Sequence, residues 1–257
     1  MKALPQPPLL NFEANEFALF LDIDGTLLEH AAHPDAVRVE DDLLALLQAL
    51  ERQLGGALAF VTGRSIIAVD RLFAPLRLPA AGLYGLEHRL SANGPVEAAG
   101  EPADIAALAE EIAAEFDGAN VYIERKGPIL ALHTRAAPQL LARAIQLVEQ
   151  ALDRLPPGYR VLPGNAGVEL MPLEAAKGAA IRRFTELPAF SGRRPVFLGD
   201  DTSDENGFQA INEDGGIAIR VRPQGDTLAP YGLGGVSEAI SWLKRCAGYP
   251  PTKAASS

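Results

Sequence analysis

Asp22 and Asp24 stand two residues apart at the end of an apolar run, in the stretch FALFLDIDGTLLEH from Phe17 to His30. An unpaired buried charge costs several kcal/mol, so a strand that runs inward and ends in two acids needs something to neutralise them. The run RPVFLGDDTSDE ends in the same way at Asp200, with Asp201, Asp204 and Glu205 close behind. Two strand-end carboxylates from different strands make a hard-oxygen site of the kind that suits Mg2+. A third run, ALAFVTG, ends at Thr62, and Lys177 in EAAKGAA lies between these stretches in the chain. Any one of these residues could simply cap a helix or a turn. Taken together, at the ends of separate strands, they read as a cation site.

Such residues meet only if a sheet places their strands side by side, because ligands in open α/β sheets sit outside the carboxyl ends of the strands. The flanking pattern supplies that sheet. Val39, Leu43, Leu46, Leu47, Leu50 and Leu54 recur at helical spacing, and Gly55 and Gly56 stop the helix. SIIAVDRLFAPL reads as a helix with Ser65 in the N-cap position. AAGLYGLEH reads as a third strand or its loop, GGIAIRV as a late strand and GGVSEAISWLKRC as a closing helix. Strands alternating with helices predict an α/β, Rossmann-like parallel-sheet core with helices on both faces. Residues 101–172 differ: helix, two strands (NVYIERK, PILALHTR), helix, two strands (YRVLPG, AGVELMP). That order predicts an inserted α+β unit, an antiparallel sheet with two helices on one face. The expected domains are thus a core of 1–100 with 173–257 and an insert of 101–172. The tail GYPPTKAASS is expected to be disordered.

The 257 residues carry a formal net charge of −10, which argues against a nucleic-acid face. No run of 18 apolar residues or signal-peptide pattern appears, and the single cysteine, Cys246, allows no internal disulfide. A cytoplasmic protein, with no membrane or nucleic-acid partner and acting as a monomer, is expected.

DIDGTL, VTGR, Lys177 in EAAKGAA and GDDTSDE, in that order, resemble the four signatures of the haloacid dehalogenase-like phosphatases. FVTGRSIIAVDRLFAPL, VYIERKGPILALHTR, VELMPLEAAKGAAI and VFLGDDTSDENGF resemble trehalose-6-phosphate phosphatases segment by segment, over Phe17 to Leu243. The resemblance implies an Mg2+-dependent phosphatase acting on trehalose 6-phosphate through an aspartyl phosphate. It makes Asp22 the nucleophile and Asp24 the general acid and base. Thr62 and Lys177 would offset phosphate charge. Asp22, the Asp24 carbonyl and Asp200 would hold the metal, with Asp201 and Asp204 orienting groups behind them. Ile23, Gly25, Gly63 and Arg64 would line the phosphate, with a plain ion pair or strand-end cap as the alternative for Arg64. The insert would be a lid whose Glu124, Lys126 and Glu169 bind the second sugar ring. Glu124 and Lys126 share a strand face, and a charge pair on a solvated sheet is the other reading. His133 and Arg135 are open between structural and mouth-lining roles. Tyr84-Gly85-Leu86-Glu87 departs from the His-Gly-Ala/Leu-Glu segment often seen in the family. Another sugar phosphate, such as sucrose phosphate or mannosyl-phosphoglycerate, or a non-catalytic sugar-phosphate sensor, are the rival functions.

Overall fold

The structure is a computed structural model and describes residues 4–12, 16–30, 38–98, 100, 102–164 and 166–249. The tail expected to be disordered lies outside the described residues from 250 onward, as does Glu101. Two compact units divide the chain, residues 1–96 with 176–257 and residues 97–175. The insert read from the sequence, 101–172, falls a few residues inside the second unit at both ends, and the expected core runs a few residues past the first.

The chain begins with β1 (Phe17–Leu21), buried at every position. In α1 (Asp41–Gln53), Leu43, Leu46, Leu47 and Leu50 face inward, each worth roughly 1.5–3 kcal/mol of burial. Gly55 and Gly56 follow at positive φ and end the helix. β2 (Leu58–Val61) is followed by α2 (Ile66–Leu72), whose Ser65 side chain accepts from the Ala68 N–H as an N-cap. β3 (Ala80–Gly82) and β4 (Glu87–Arg89) complete this segment. The second unit runs β5 (Glu97–Ala98), α3 (Ala103–Glu115), β6 (Tyr122–Lys126), β7 (Ile129–His133), α4 (Leu141–Leu152), β8 (Tyr159–Gly164) and β9 (Gly167–Pro172). The chain returns through α5 (Lys177–Thr185), β10 (Arg194–Gly199), α6 (Glu205–Glu213), β11 (Ile217–Val221), β12 (Tyr231–Leu233) and α7 (Val236–Cys246).

Seven strands of one sheet lie in the first unit, in the order β12-β11-β10-β1-β2-β3-β4. The chain steps outward from β1 through β2 and β3, then returns at β10 and steps outward the other way. The order therefore reverses between β1 and β10, which pair in parallel with Phe17 opposite Arg194. Ligands gather at such a switch point. One strand departs from the parallel expectation: β4 is antiparallel to β3. The connection between them, Leu83–Gly85, is a three-residue 3-10 turn. It is far too short for the crossover that a parallel neighbour needs. Leu83 and Tyr84 take positive φ there, at 49° and 58°.

The second unit holds a four-stranded antiparallel sheet, β6-β7-β9-β8. Leu130, Leu132, Val168 and Leu170 form one face and cluster with Ile105, Leu108 and Ile112 of α3 and Ala144 and Val148 of α4. Strand alternation leaves the opposite face clear of the helices. Among the described residues no helix is long and apolar enough to cross a membrane.

Candidate active site

Asp22 follows β1 directly, and its N–H donates to the Leu198 carbonyl of β10 at 3.0 Å, which fixes its position at the switch point. The side chain is buried. Oδ1 accepts from Lys177 Nζ at 2.7 Å and Oδ2 from the Thr26 hydroxyl at 3.1 Å. Lys177 is the first residue of α5, where the helix dipole disfavours a cation. It is 2% exposed and is held by two carboxylates, Asp22 and Asp204, the latter at 2.6 Å. Burial alone would lower its pKa, but Asp204 and Asp22 outweigh burial and the net shift is upward. The ammonium therefore stays charged where a phosphate would need it. Asn206 Oδ1 accepts from the Gly178 N–H at 2.7 Å and anchors the same helix start.

Asp204 ties the second loop together. Its Oδ2 accepts from the backbone N–H groups of Asp200 and Asp201, both at 2.9 Å, while Oδ1 takes Lys177. Asp201 and Asp204 form a capping box on the short turn Thr202–Asp204. Asp201 thus serves its own turn, and it is Asp204 that orients Lys177. Gly199 permits this packing, since a Cβ there would lie 2.4 Å from the Asp204 carboxyl carbon.

Oxygens of Asp22, Asp200 and Asp204 come within 4.8 Å of one another. Three carboxylates here face one lysine, and the electrostatics register the surplus. Burial raises the Asp22 pKa well above the ordinary value, with Lys177 opposing and Asp204 and Asp200 adding to the rise. Asp200 is raised as well, by burial first, partly offset by a hydrogen bond from His30. His30 Nε2 sits 3.0 Å from Asp200 Oδ2. This crowding of carboxylates fits a divalent cation, whose charge would offset the rise at Asp22 and Asp200. The donors are all oxygen, as Mg2+ prefers. Asp22 and Asp200 are better suited to hold it than Asp204, which already accepts three bonds, from Lys177 and two backbone N–H groups, against one on each oxygen of Asp22.

Asp24 is half-buried, and both of its oxygens are taken by one guanidinium. Arg64 Nε donates to Oδ2 and its Nη2 to Oδ1, each at 2.6 Å. Gly25, at φ 80°, lets the chain pass: a Cβ would sit 1.9 Å from Asp200 Oδ2. Ile23 is fully buried, so only its backbone is available to a ligand. Thr62 is buried at the end of β2, and its hydroxyl oxygen accepts from the Arg64 N–H at 3.2 Å. The hydroxyl proton is left to donate elsewhere. Gly63 makes room for the Tyr84 ring, whose Cζ and hydroxyl lie 2.6 Å from where a Cβ would be. The ring centre is 5.8 Å from Lys177 Nζ, close enough for a cation–π contact.

In the second unit, Glu124, Ala131 and Glu169 stand in one row across β6, β7 and β9, on the face away from the helices. Lys126 Nζ bonds Glu169 at 2.6 Å and lies 3.9 Å from Glu124. His133 Nε2 bonds Glu124 at 2.8 Å, and the Tyr122 ring stacks on the imidazole. Arg135 lies beyond the end of β7 and is exposed.

Residues 20–233 match the family model described as Trehalose-phosphatase. A probable trehalose-phosphate phosphatase of Sinorhizobium fredii is 46% identical over 83% of this chain and 81% of its own length.

The chain belongs to the trehalose-phosphatase family.

This is a family of phosphoric monoester hydrolases. A trehalose-6-phosphate phosphatase of Escherichia coli is 39% identical over 89% of this chain and 86% of its own. Among solved structures, the C-terminal domain of the Candida albicans trehalose-6-phosphate phosphatase matches with a TM-score of 0.83 at 20% identity, covering 95% of this chain and 99% of that one. A Bacteroides thetaiotaomicron phosphatase of the haloalkanoate (HAD) superfamily matches with a TM-score of 0.58 at 16% identity, over 95% and 98%. These two concern the fold: an α/β core with a cap, as in that superfamily. Within this trehalose-phosphatase member, sequence reasoning missed four contacts. The Thr26 bond to Asp22 was foreshadowed by the Asp-Gly-Thr order. His30 on Asp200, Asn206 on α5 and Asp24 as the partner of the ion pair read for Arg64 had no local signal, because each joins distant parts of the chain.

Proposed function

We propose that this chain hydrolyses trehalose 6-phosphate to trehalose and phosphate in the cytoplasm, with Mg2+ as its cofactor. The supporting observation is the buried constellation of Asp22, Lys177 and Asp204, with Asp200 on the adjacent strand end. An Asp22 oxygen attacks phosphorus while the bond from phosphorus to the sugar 6-oxygen breaks. Asp24 gives its proton to that leaving oxygen and then takes one from the water that attacks the aspartyl phosphate, as the bond from phosphorus to the Asp22 oxygen breaks and frees the carboxylate. Lys177, the Thr62 hydroxyl and the backbone N–H groups of Ile23, Asp24 and Gly63 meet the phosphoryl oxygens. A bound Mg2+ supplies charge neutralisation for those oxygens. Glu124, Lys126 and Glu169 exchange their mutual ion pairs for the hydroxyls of the second glucose ring.

The test is phosphate release from trehalose 6-phosphate, sucrose 6-phosphate, mannosyl-phosphoglycerate and p-nitrophenyl phosphate, with Mg2+ and with EDTA. Preferred turnover of trehalose 6-phosphate that is lost in EDTA is expected. Preference for another sugar would overturn the assignment of the cap residues, and binding without turnover of any substrate would make the chain a sensor.

A further inference from the structure

The general acid of this site is not at liberty. Arg64 grips both oxygens of Asp24 at 2.6 Å in a planar, two-bond pair, the strongest form of carboxylate–guanidinium contact. The Arg64 side chain is 14% exposed, and its backbone N–H is pinned to Thr62 Oγ1. The grip therefore comes from a guanidinium fixed beside the phosphate-facing end of β2, with little room to wander. In this arrangement neither Asp24 oxygen can present a proton to a leaving group.

We infer that Arg64 is a positioning residue that latches Asp24 until a phosphate arrives and competes for the guanidinium. This rests on the phosphatase reading above and deepens it. A phosphate monoester offers oxygens with the same spacing and more charge than a carboxylate, so it can take over the fork. Asp24 then turns toward the leaving oxygen only when a substrate is present. Part of the intrinsic phosphate affinity is spent opening the latch, since apparent affinity falls by the fraction of protein in the competent state.

That competition has a sign that simple phosphate binding lacks. The probe is inorganic phosphate, titrated calorimetrically into the full-length, Mg2+-loaded protein. Asp24→Asn loosens the latch and should tighten phosphate binding about tenfold, the low end for losing a charge-assisted pair. Removing a negative charge near an anion would also tighten binding, but independently of Arg64. The Arg64→Ala background separates the two. If the latch operates, Asp24→Asn gains less than about twofold once Arg64 is gone, because no competition is left to relieve. Should Arg64→Ala fail to fold, Arg64→Lys, which can hold one oxygen at a time, should give an intermediate gain. An equal gain with and without Arg64, or no gain in Asp24→Asn, overturns the latch. A wild-type protein that neither binds phosphate nor hydrolyses any sugar phosphate overturns the phosphatase reading itself, and the reference titration reveals that case before any variant is made.

Discussion

The charges of the strand-end site and those of the cap sheet are built on opposite principles. At the strand ends, Asp22, Lys177 and Asp204 are buried, and each is tied by two or more bonds that come from separate segments of the chain. On the cap, Glu124, Lys126, Glu169 and His133 are only partly buried, and Lys126 pairs with Glu169 and His133 with Glu124 across the sheet. The first arrangement fixes charge where water cannot relax it, which is what stabilising a transferring phosphoryl group requires. The second keeps acids and bases paired at a partly exposed sheet face, where polar groups of a ligand would compete for them. Rigidity and exchangeability are thus separated between the two units.

The largest effect should come from breaking the rigid side. Asp22→Asn removes the attacking anion, and a loss of about three orders of magnitude or more in kcat is expected on both trehalose 6-phosphate and p-nitrophenyl phosphate. Near-normal turnover would refute Asp22 as nucleophile. The exchangeable side should fail more selectively. Glu124→Ala, Lys126→Ala and Glu169→Ala should each lower kcat/KM for trehalose 6-phosphate about ten- to a hundredfold, with less than about a twofold change for the aryl phosphate. Parallel losses on both substrates would mean that these residues support the fold instead.

A smaller effect concerns stability. The folded state holds the Asp200 proton more tightly than the unfolded chain does, because burial raises its pKa despite the His30 bond. The metal-free protein therefore loses stability as pH rises from the ordinary aspartate range through the raised value. Asp200→Asn removes that loss, so its Tm advantage in EDTA should be absent at low pH and grow as pH rises across that window. Melting curves at a series of pH values check this, and an advantage that shrinks with pH would contradict it. Saturating Mg2+ should close the gap by stabilising the wild type alone.

The smallest effect sharpens the contrast by showing that burial by itself makes no site. Burial pushes the Cys246 thiol up to about 11, and its sulfur accepts only a 3.4 Å bond from the Leu10 N–H. At pH 8 a thiol-reactive dye should label it only after denaturation. Rapid labelling of the native protein would place Cys246 in an accessible environment.

Much of this was legible in the sequence because strand ends advertise themselves. Apolar runs closed by Asp22, Thr62 and Asp200 showed which residues would meet, and the helix, strand, strand repetition showed the cap. The antiparallel β4 was hidden, since Glu87, His88 and Arg89 carry no apolar alternation and are held by pairing with β3. The partner of Asp24 was hidden for another reason. Spacing reveals neighbours along a helix or strand, and Arg64 reaches Asp24 only after β1 and β2 are paired.

The insertion point of the cap has a consequence for synthesis of the protein. β1 leads directly into Asp22, yet its parallel neighbour β10 pairs Arg194 with Phe17, and everything between, including the whole second unit, leaves the ribosome first. The cap has its own apolar cluster and local strand pairs, so it can form as soon as β9 emerges. The opening segment cannot complete its sheet at that stage. With β10 absent, one edge of β1, five buried apolar residues long, stays unpaired through most of translation. A nascent chain stalled between β9 and β10 should present a folded cap tethered to an incomplete core with an unpaired strand edge.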